Sequence, residues 1–404
     1  MKEYDLCISG GGAAGLCALI GAARKRPGIK AAVFEGAPRL GKKILVTGNG
    51  RCNLTNLNAS ALCYSSPEFV KPCFDKYPPE KVVEFFESLG LLTKPDGEDR
   101  VYPRSNTAAS VLDALRLTAA ETGADIFTDT VVKSVQKRED GFVINGEVFC
   151  KNLIIACGGK AQPSSGKNTG GYDIARSLGH TVTRLYPSLV PLAVKPEDVK
   201  GLKGIRAPGV ELTLTVGEKS VKSRGELLFT ESGISGICAM ELAASAEKAL
   251  AENKKAVVKC DFLPEMSEQE LKAYVSSLAE IKKGRPLDDL LTGVLAKQLG
   301  IAVCKKAGVY SGSAVISDLS EEKLEKLIGA LKRYDFTVTG TKGFDSAQVT
   351  SGGVAAGEIN PDTLESEICK GLYFAGEIID VDGPCGGYNL QWAFASGLMA
   401  GELN

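Results

Sequence analysis

The pattern of apolar and polar positions changes style twice along the chain. At the start, short apolar runs alternate with helical periodicity. Residues 5–9 read as a buried strand, 13–26 as a helix and 30–35 as a second strand, with Pro27 and Gly28 marking the break between the last two. Helices are predicted over 80–89, with Val82, Val83, Phe85, Phe86 and Leu89, and over 107–122, with Val111, Leu112 and Leu115. Residues 126–135, 142–144 and 147–150 then read as strands, and Asn145-Gly146 is a hairpin signal, so a β-meander is expected. Another buried strand, 153–156, runs into Cys157-Gly158-Gly159.

From about Pro187 the pattern becomes antiparallel. Strands are predicted over 210–216, 221–223, 226–230 and 257–262, and a helix over 239–252. Ser267-Glu268-Gln269-Glu270 fits a capping box opening one helix. Pro286, Asp288 and Asp289 fit the first turn of the next, and 321–333 fits a third. The final stretch returns to a glycine-rich apolar style, with a strand over 372–375 and a helix over 389–403. The expected class is α/β. A Rossmann-like domain over 1–186 and 346–404 is interrupted by an inserted β-barrel and helical α+β module over 187–345.

At 404 residues the chain exceeds the usual single core, in keeping with more than one domain. Its 44% hydrophobic and 24% charged composition is that of a globular protein. Formal net charge is −1, from 48 basic and 49 acidic residues, which supplies no field for a polyanion and argues against a nucleic-acid partner. No uninterrupted apolar run reaches the ~18 residues of a membrane span. Glu3 and Asp5 argue against a signal peptide. Twelve scattered cysteines without a CxxC pair, beside the single histidine His180, exclude a zinc site and a histidine-based triad. They are expected to be reduced, buried and cytoplasmic.

Gly10-Gly11-Gly12-Ala13-Ala14-Gly15 has GxGxxG spacing directly after a strand and at the start of a helix. Gly10 permits the tight turn, Gly12 lets backbone approach a pyrophosphate, and Gly15 lets helix and strand pack closely. Free N–H groups at the helix start suit phosphate. Glu35, followed by Gly36, closes the second strand where ribose hydroxyls would sit. The motif alone does not separate NAD from FAD.

Three further segments carry a family resemblance: residues 41–56 (GKKILVTGNGRCNLTN), Thr350-Ser351-Gly352-Gly353-Val354, and residues 371–393, which contain Gly376-Glu377 and Gly387-Tyr388-Asn389-Leu390. With these the chain resembles the BaiN/RdsA-type (YhiN-like) flavoproteins, some named aminoacetone oxidases or dehydro-bile-acid reductases, over nearly its whole length. The resemblance implies a split FAD-binding core. Lys42, Thr47, Gly48, Gly50, Arg51, Cys52 and Asn53 would pass near pyrophosphate, ribitol and flavin ring. Val132 would meet adenine through its backbone, and Ala156, Cys157 and Gly158 would pass the adenosine half. Glu377 would hold the ribitol, with Asp382 nearby in a cofactor-binding loop. The helix start at Gly387, Tyr388, Asn389 and Leu390 would face the flavin pyrimidine edge, where its positive end stabilises negative charge. Two departures stand out. Glu231 replaces a histidine common in relatives, and Lys167-Asn168-Thr169-Gly170-Gly171 lacks an acid common there.

These residues predict an FAD-dependent oxidoreductase moving hydride through flavin N5 to or from a small organic molecule, either an enone or steroid-like compound or an amine. With one dinucleotide motif, NAD(P)H would visit only transiently, and oxygen is the other candidate redox partner. No catalytic side chain is assigned. Arg51 would polarise flavin or an anionic substrate group, or else serve a structural ion pair. Tyr388 is a candidate proton donor. Cys52 and Cys385 read as packing, Asp380 and Asp382 as loop and cofactor hydrogen-bond partners, and His180 as structural. The alternatives are a flavin-dependent nucleic-acid modifier and a non-catalytic flavin sensor.

Overall fold

A computed structural model of the chain describes residues 1–162, 170–310 and 312–403. It divides into two compact units, Met1–Tyr186 with Gln348–Asn404, and Pro187–Ala347.

The first unit is built on a seven-stranded sheet. Lys2–Ser9 pairs in parallel with Ala31–Phe34 on one side and Val148–Ile155 on the other. Asp125–Phe127 extends the sheet beyond Ala31–Phe34, again in parallel. Val148–Ile155 is one long strand where the sequence suggested two, because it has two partners on its far side. Its first half pairs antiparallel with Gly141–Ile144, and its second half pairs in parallel with Leu372–Phe374. The polar Lys151-Asn152 that suggested a break sits between those two pairings. The Asn145-Gly146 turn has both residues at positive φ, 51° and 74°, as a type I′ hairpin requires.

The run 126–135 is not one strand. After Phe127 the backbone leaves the sheet at Asp129, whose φ is +49°, and crosses towards the end of the second strand. There Asp129 N–H donates to the Ala37 carbonyl and Thr130 N–H to the Glu35 carbonyl. Val132 is buried in this irregular stretch, before the strand Val135–Arg138 begins.

Helix Ala13–Lys25 packs on helix Tyr388–Gly401 at backbone distance. A Cβ on Gly397 would lie 2.3 Å from the Ala14 carbonyl oxygen, and one on Gly401 would lie 2.3 Å from that of Ala18. Only glycine fits there, and the reward is a close, largely buried helix pair. Helix Pro67–Lys76 was not foreseen, because Pro72 interrupts its pattern. Its buried face of Val70, Cys73 and Phe74 holds it in place.

The second unit contains a closed barrel of Leu192–Val194, Gly233–Ser235, Lys219–Phe229, Arg206–Val216, Val257–Asp261 and Tyr334–Thr341. The expected strands 221–223 and 226–230 are one, paired along its length with Arg206–Val216. The helix over 239–252 breaks at Leu242 into Ile237–Glu241 and Ala243–Ala251. The Ser267 capping box forms as expected. Pro286, by contrast, opens only a short 3-10 turn, and the next helix is Lys297–Lys306. No helix among the described residues is long and apolar enough to cross a membrane.

Candidate functional site

Five parallel strands of the first unit end, at their C-terminal ends, in the segments singled out from the sequence. Lys2–Ser9 runs into the glycine loop, Ala31–Phe34 into Glu35 and Gly36, and Asp125–Phe127 into the stretch reaching Val132. Val148–Ile155 runs into Ala156, Cys157 and Gly158, and Leu372–Phe374 into Ala375, Gly376 and Glu377. Ligands of open α/β sheets bind at such carboxyl ends.

In the glycine loop each residue has a separate task. Gly10 has φ +109° and a Cβ there would strike the Ala156 carbonyl oxygen at 2.5 Å, while one on Gly15 would lie 1.8 Å from the Gly10 carbonyl oxygen. Gly12 differs, since its Cβ position meets nothing within 4 Å. Gly12 caps helix Ala13–Lys25 without a side-chain hydrogen bond, and no acid occupies the first turn, with Ala13 and Ala14 presenting only backbone. Open space against free N–H groups is the donor set a pyrophosphate requires. The Glu35 carboxylate accepts hydrogen bonds from Gly11 N–H at 2.9 Å and Ala37 N–H at 2.8 Å, across Gly36. In this state it braces the loop, and it retains lone pairs for a hydroxyl donor.

The second glycine loop is tied to the first by Gly41 N–H, which donates to the Gly11 carbonyl at 2.8 Å. It continues through Ile44–Gly50 in an irregular path, with Gly48, Asn49 and Cys52 all in the left-handed region at φ +55°, +56° and +57°. Left-handed backbone at a cysteine costs about 1–2 kcal/mol, and cross-ties hold it. Thr47 donates through its hydroxyl to the Ile44 carbonyl, and its own carbonyl accepts from Cys52 N–H at 3.0 Å. Burial pushes the Cys52 thiol up to about 12, so it stays protonated at neutral pH and packs. Cys157 is pushed up to about 12 by the same cause.

Asn53 is 7% exposed, and its Oδ1 is buried without a hydrogen-bond partner. It points towards Gly387, where a Cβ would lie 2.9 Å from it. Gly387, at φ +104°, opens helix Tyr388–Gly401, again with no side-chain cap and no acid in the first turn. Leu390 follows within that first turn. The preceding loop is held by Asn389, whose side chain accepts from Gly383 N–H at 2.9 Å and donates to the Gly383 carbonyl at 2.8 Å. Asn389 therefore offers a ligand its backbone rather than its amide. Tyr64 donates its hydroxyl to the Tyr388 carbonyl at 2.7 Å and meets the Tyr388 ring edge-on.

Glu377 lies where return segment and second loop meet. One oxygen accepts from Lys43 Nζ at 2.8 Å and the other from Thr350 N–H at 2.7 Å. Thr350 in turn accepts, through its hydroxyl oxygen, from Lys160 N–H at 2.7 Å and Ala161 N–H at 3.0 Å. A Cβ on Gly352 would lie 2.4 Å from the Arg184 carbonyl oxygen and one on Gly353 2.6 Å from that of Ile378, so their role is packing. Asp382 accepts from the Ser351 hydroxyl at 3.2 Å and Asp380 from the Thr183 hydroxyl at 2.9 Å, which makes both loop fasteners.

Sequence reasoning named Lys42 and passed over its neighbour Lys43, which carries the ion pair. It also missed Tyr64, and it singled out Thr350 only within the family segment 350–354, without a site role. The Lys42-Lys43 doublet and the 350–354 segment held a signal, whereas Tyr64 depends on a contact with Tyr388, distant in the chain. Lys167, Asn168 and Thr169 lie outside the described residues. Glu231 is exposed and paired with Lys203 at 2.9 Å, which lowers its carboxyl below the usual range. His180 is buried, with Nε2 2.8 Å from the Ser366 hydroxyl and Nδ1 3.2 Å from Glu358. Burial pushes the imidazole down, against the opposing pull of Glu358, in keeping with a structural role. No cluster of potential metal ligands occurs among the described residues.

The model of the HI0933-like protein Rossmann domain matches residues 4–403, and the chain belongs to that family. It is 40% identical to a 3-dehydro-bile acid delta(4,6)-reductase of Clostridium scindens, over 98% of this chain and 97% of the relative. It is 31% identical to a ribosomal RNA dihydrouridine synthase of Haemophilus influenzae, again over 98% and 97%. Its fold is also that of a 3-ketosteroid delta1-dehydrogenase from Sterolibacterium denitrificans, with a TM-score of 0.50, 14% identity, and 99% of each chain covered. The chain is a flavoprotein oxidoreductase with a Rossmann-type core and a closed antiparallel barrel.

Proposed function

We propose that this chain is an FAD-dependent reductase that saturates a carbon–carbon double bond conjugated to a carbonyl in a small organic molecule. Support comes from five parallel strand ends, four of them leading into glycine-bearing loops, and from two uncapped helix starts. Chemistry narrows the reaction. The reductase and the dihydrouridine synthase among the relatives are named for unlike substrates, yet both names describe saturation of such a double bond. That shared step favours enone reduction over amine oxidation.

Bound FAD supplies two-electron hydride chemistry. The residues of this chain would do the rest. The backbone from Gly12 to Ala14 would hold the pyrophosphate, and Glu35 and Val132 would flank the adenosine half. Glu377, steadied by Lys43, would hold the ribityl chain. The start of helix Tyr388–Gly401 would stabilise negative charge at the pyrimidine edge, where Asn53 presents its unpartnered oxygen. NAD(P)H would serve as a transient donor. A small molecule suits the near-neutral net charge of −1 better than RNA does. All twelve cysteines are free thiols, which fits the reducing cytoplasm we propose for the protein.

The test is anaerobic reduction of the purified yellow protein by NADH or NADPH, followed by reoxidation with a steroid 4-en-3-one. Reoxidation by the enone at a rate well above that of buffer supports the proposal. A colourless, well-folded protein overturns the cofactor assignment. Reoxidation by RNA lacking dihydrouridine, with no response to enones, overturns the small-molecule reading.

A further inference from the structure

Two arginines on neighbouring segments of the first unit are treated in opposite ways. Strands Thr55–Asn56, Arg100–Pro103 and Thr93–Pro95 form a small sheet beside the second glycine loop. Arg100 is fully engaged: Nε and Nη2 each lie 2.9 Å from Asp96, and Nη1 lies 2.7 Å from Glu98. Arg51 spreads over the ring of Tyr102 at 4.6 Å, and among the described residues its one protein acceptor is the Gly48 carbonyl, 3.4 Å from Nε. Among the described residues no carboxylate lies within ion-pair distance of it, which removes the structural ion pair the sequence left open. Lys94 stands directly opposite Tyr102 across the strand pair, and Arg104 follows two residues later. Neither has a carboxylate partner among the described residues. The acids of the connecting hairpin are taken, Asp96 and Glu98 by Arg100 and Asp99 by Asn58.

The guanidinium is also aimed. Arg51 lies between Gly50 and Cys52, both at positive φ, and Tyr102 beneath it is 5% exposed and fixed in the sheet. A ring that orients the plane of an arginine while leaving its Nη edge without an acid presents a preformed fork, the geometry that takes an oxyanion bidentately. The small sheet that carries Tyr102 also borders the loop before helix Tyr388–Gly401. Arg100, on the same sheet face as Tyr102, has Cδ 4.0 Å from the Cβ position of Gly386, and the Gly386 carbonyl accepts from Asn56.

We infer that Arg51 is an anchor for an oxyanion, a carboxylate or a phosphate, on the small-molecule substrate. The inference rests on the proposed function for the word substrate, but its test does not require turnover. Benzoate, phenyl phosphate and the neutral isostere benzamide are titrated into the FAD-loaded protein, with binding read from the flavin difference spectrum and by calorimetry. One of the two anions is expected to bind roughly 10- to 100-fold more tightly than benzamide, the scale of a charge-assisted pair, and to weaken with added salt. Which anion wins separates carboxylate from phosphate. Arg51→Met should abolish the preference, and Arg51→Lys should reduce it at least about threefold, because an ammonium lacks the fork.

Equal affinity for all three probes in the wild type overturns the inference, as does a preference retained in Arg51→Met. If Arg51→Met fails to hold FAD, Arg51→Lys decides, and an undiminished preference there overturns the inference too. A purely structural Arg51 would weaken anion and amide alike. Failure of enone reduction with anion binding intact would count against the proposed reaction and not against this site.

Discussion

Glycine does different work in the two units, and the contrast shows where function was readable. In the first unit a Cβ on Gly10, Gly15, Gly353, Gly397 or Gly401 would meet backbone at 1.8–2.6 Å, so these residues let main chain lie on main chain. Within that crowded set Gly12 alone among the GxGxxG glycines faces open space. In the second unit Gly209, Gly217, Gly284, Gly308 and Gly343 have positive φ and nothing within 4 Å, which makes them turn residues. Gly233 and Gly236 are exceptions in that unit, since a Cβ there would lie 1.9 Å from the Leu192 carbonyl oxygen and 2.0 Å from that of Glu226. Close backbone approach thus marks the first unit's glycine loop and helix pair.

Substitutions can break that contrast. The largest expected effect is Gly15→Ala, whose methyl must displace a carbonyl oxygen; a loss of about 3 kcal/mol in urea unfolding is expected. A loss below about 1 kcal/mol would show that the loop yields. Gly12→Val should leave the urea midpoint unchanged, since Gly12 has φ −85° and its neighbourhood is open. It should instead weaken FAD binding roughly 100-fold, measured by flavin fluorescence, because the side chain fills the cradle. Normal FAD affinity in that variant would move the pyrophosphate elsewhere. In the barrel, Gly217→Ala meets no atom and carries only the left-handed penalty of about 1 kcal/mol. The smallest effect belongs to Lys43→Met. Its partner Glu377 is partly exposed, so unfolding should change by only about 0.5 kcal/mol, while FAD dissociates a few-fold faster in stopped flow.

The same contrast explains what the sequence revealed. The loop at 10–15, the Asn145-Gly146 turn and the Ser267 cap are local, fixed by the conformational limits of a few adjacent residues. Residues 128–134, rich in Thr and Val, looked like strand. They leave the sheet because Asp129 and Thr130 find partners at Ala37 and Glu35, which local propensity does not register. Pro286 with its acids announced a helix start and opened only a 3-10 turn. Arg51 was visible as a candidate, but telling it from Arg100 required knowing which acids were already taken.

The packing of helix Ala13–Lys25 against helix Tyr388–Gly401 has a consequence for how the protein is made. Helix Ala13–Lys25 leaves the ribosome with a face whose partner, including Gly397 and Gly401, has not yet been translated. The barrel unit, whose sequence lies wholly between, can fold while that face waits. The strand Leu372–Phe374 and the second uncapped helix start also follow the barrel unit in the chain. A nascent chain can therefore complete its nucleotide site only after helix Tyr388–Gly401 has been made, and the long separation of the site's two halves makes that closure slow.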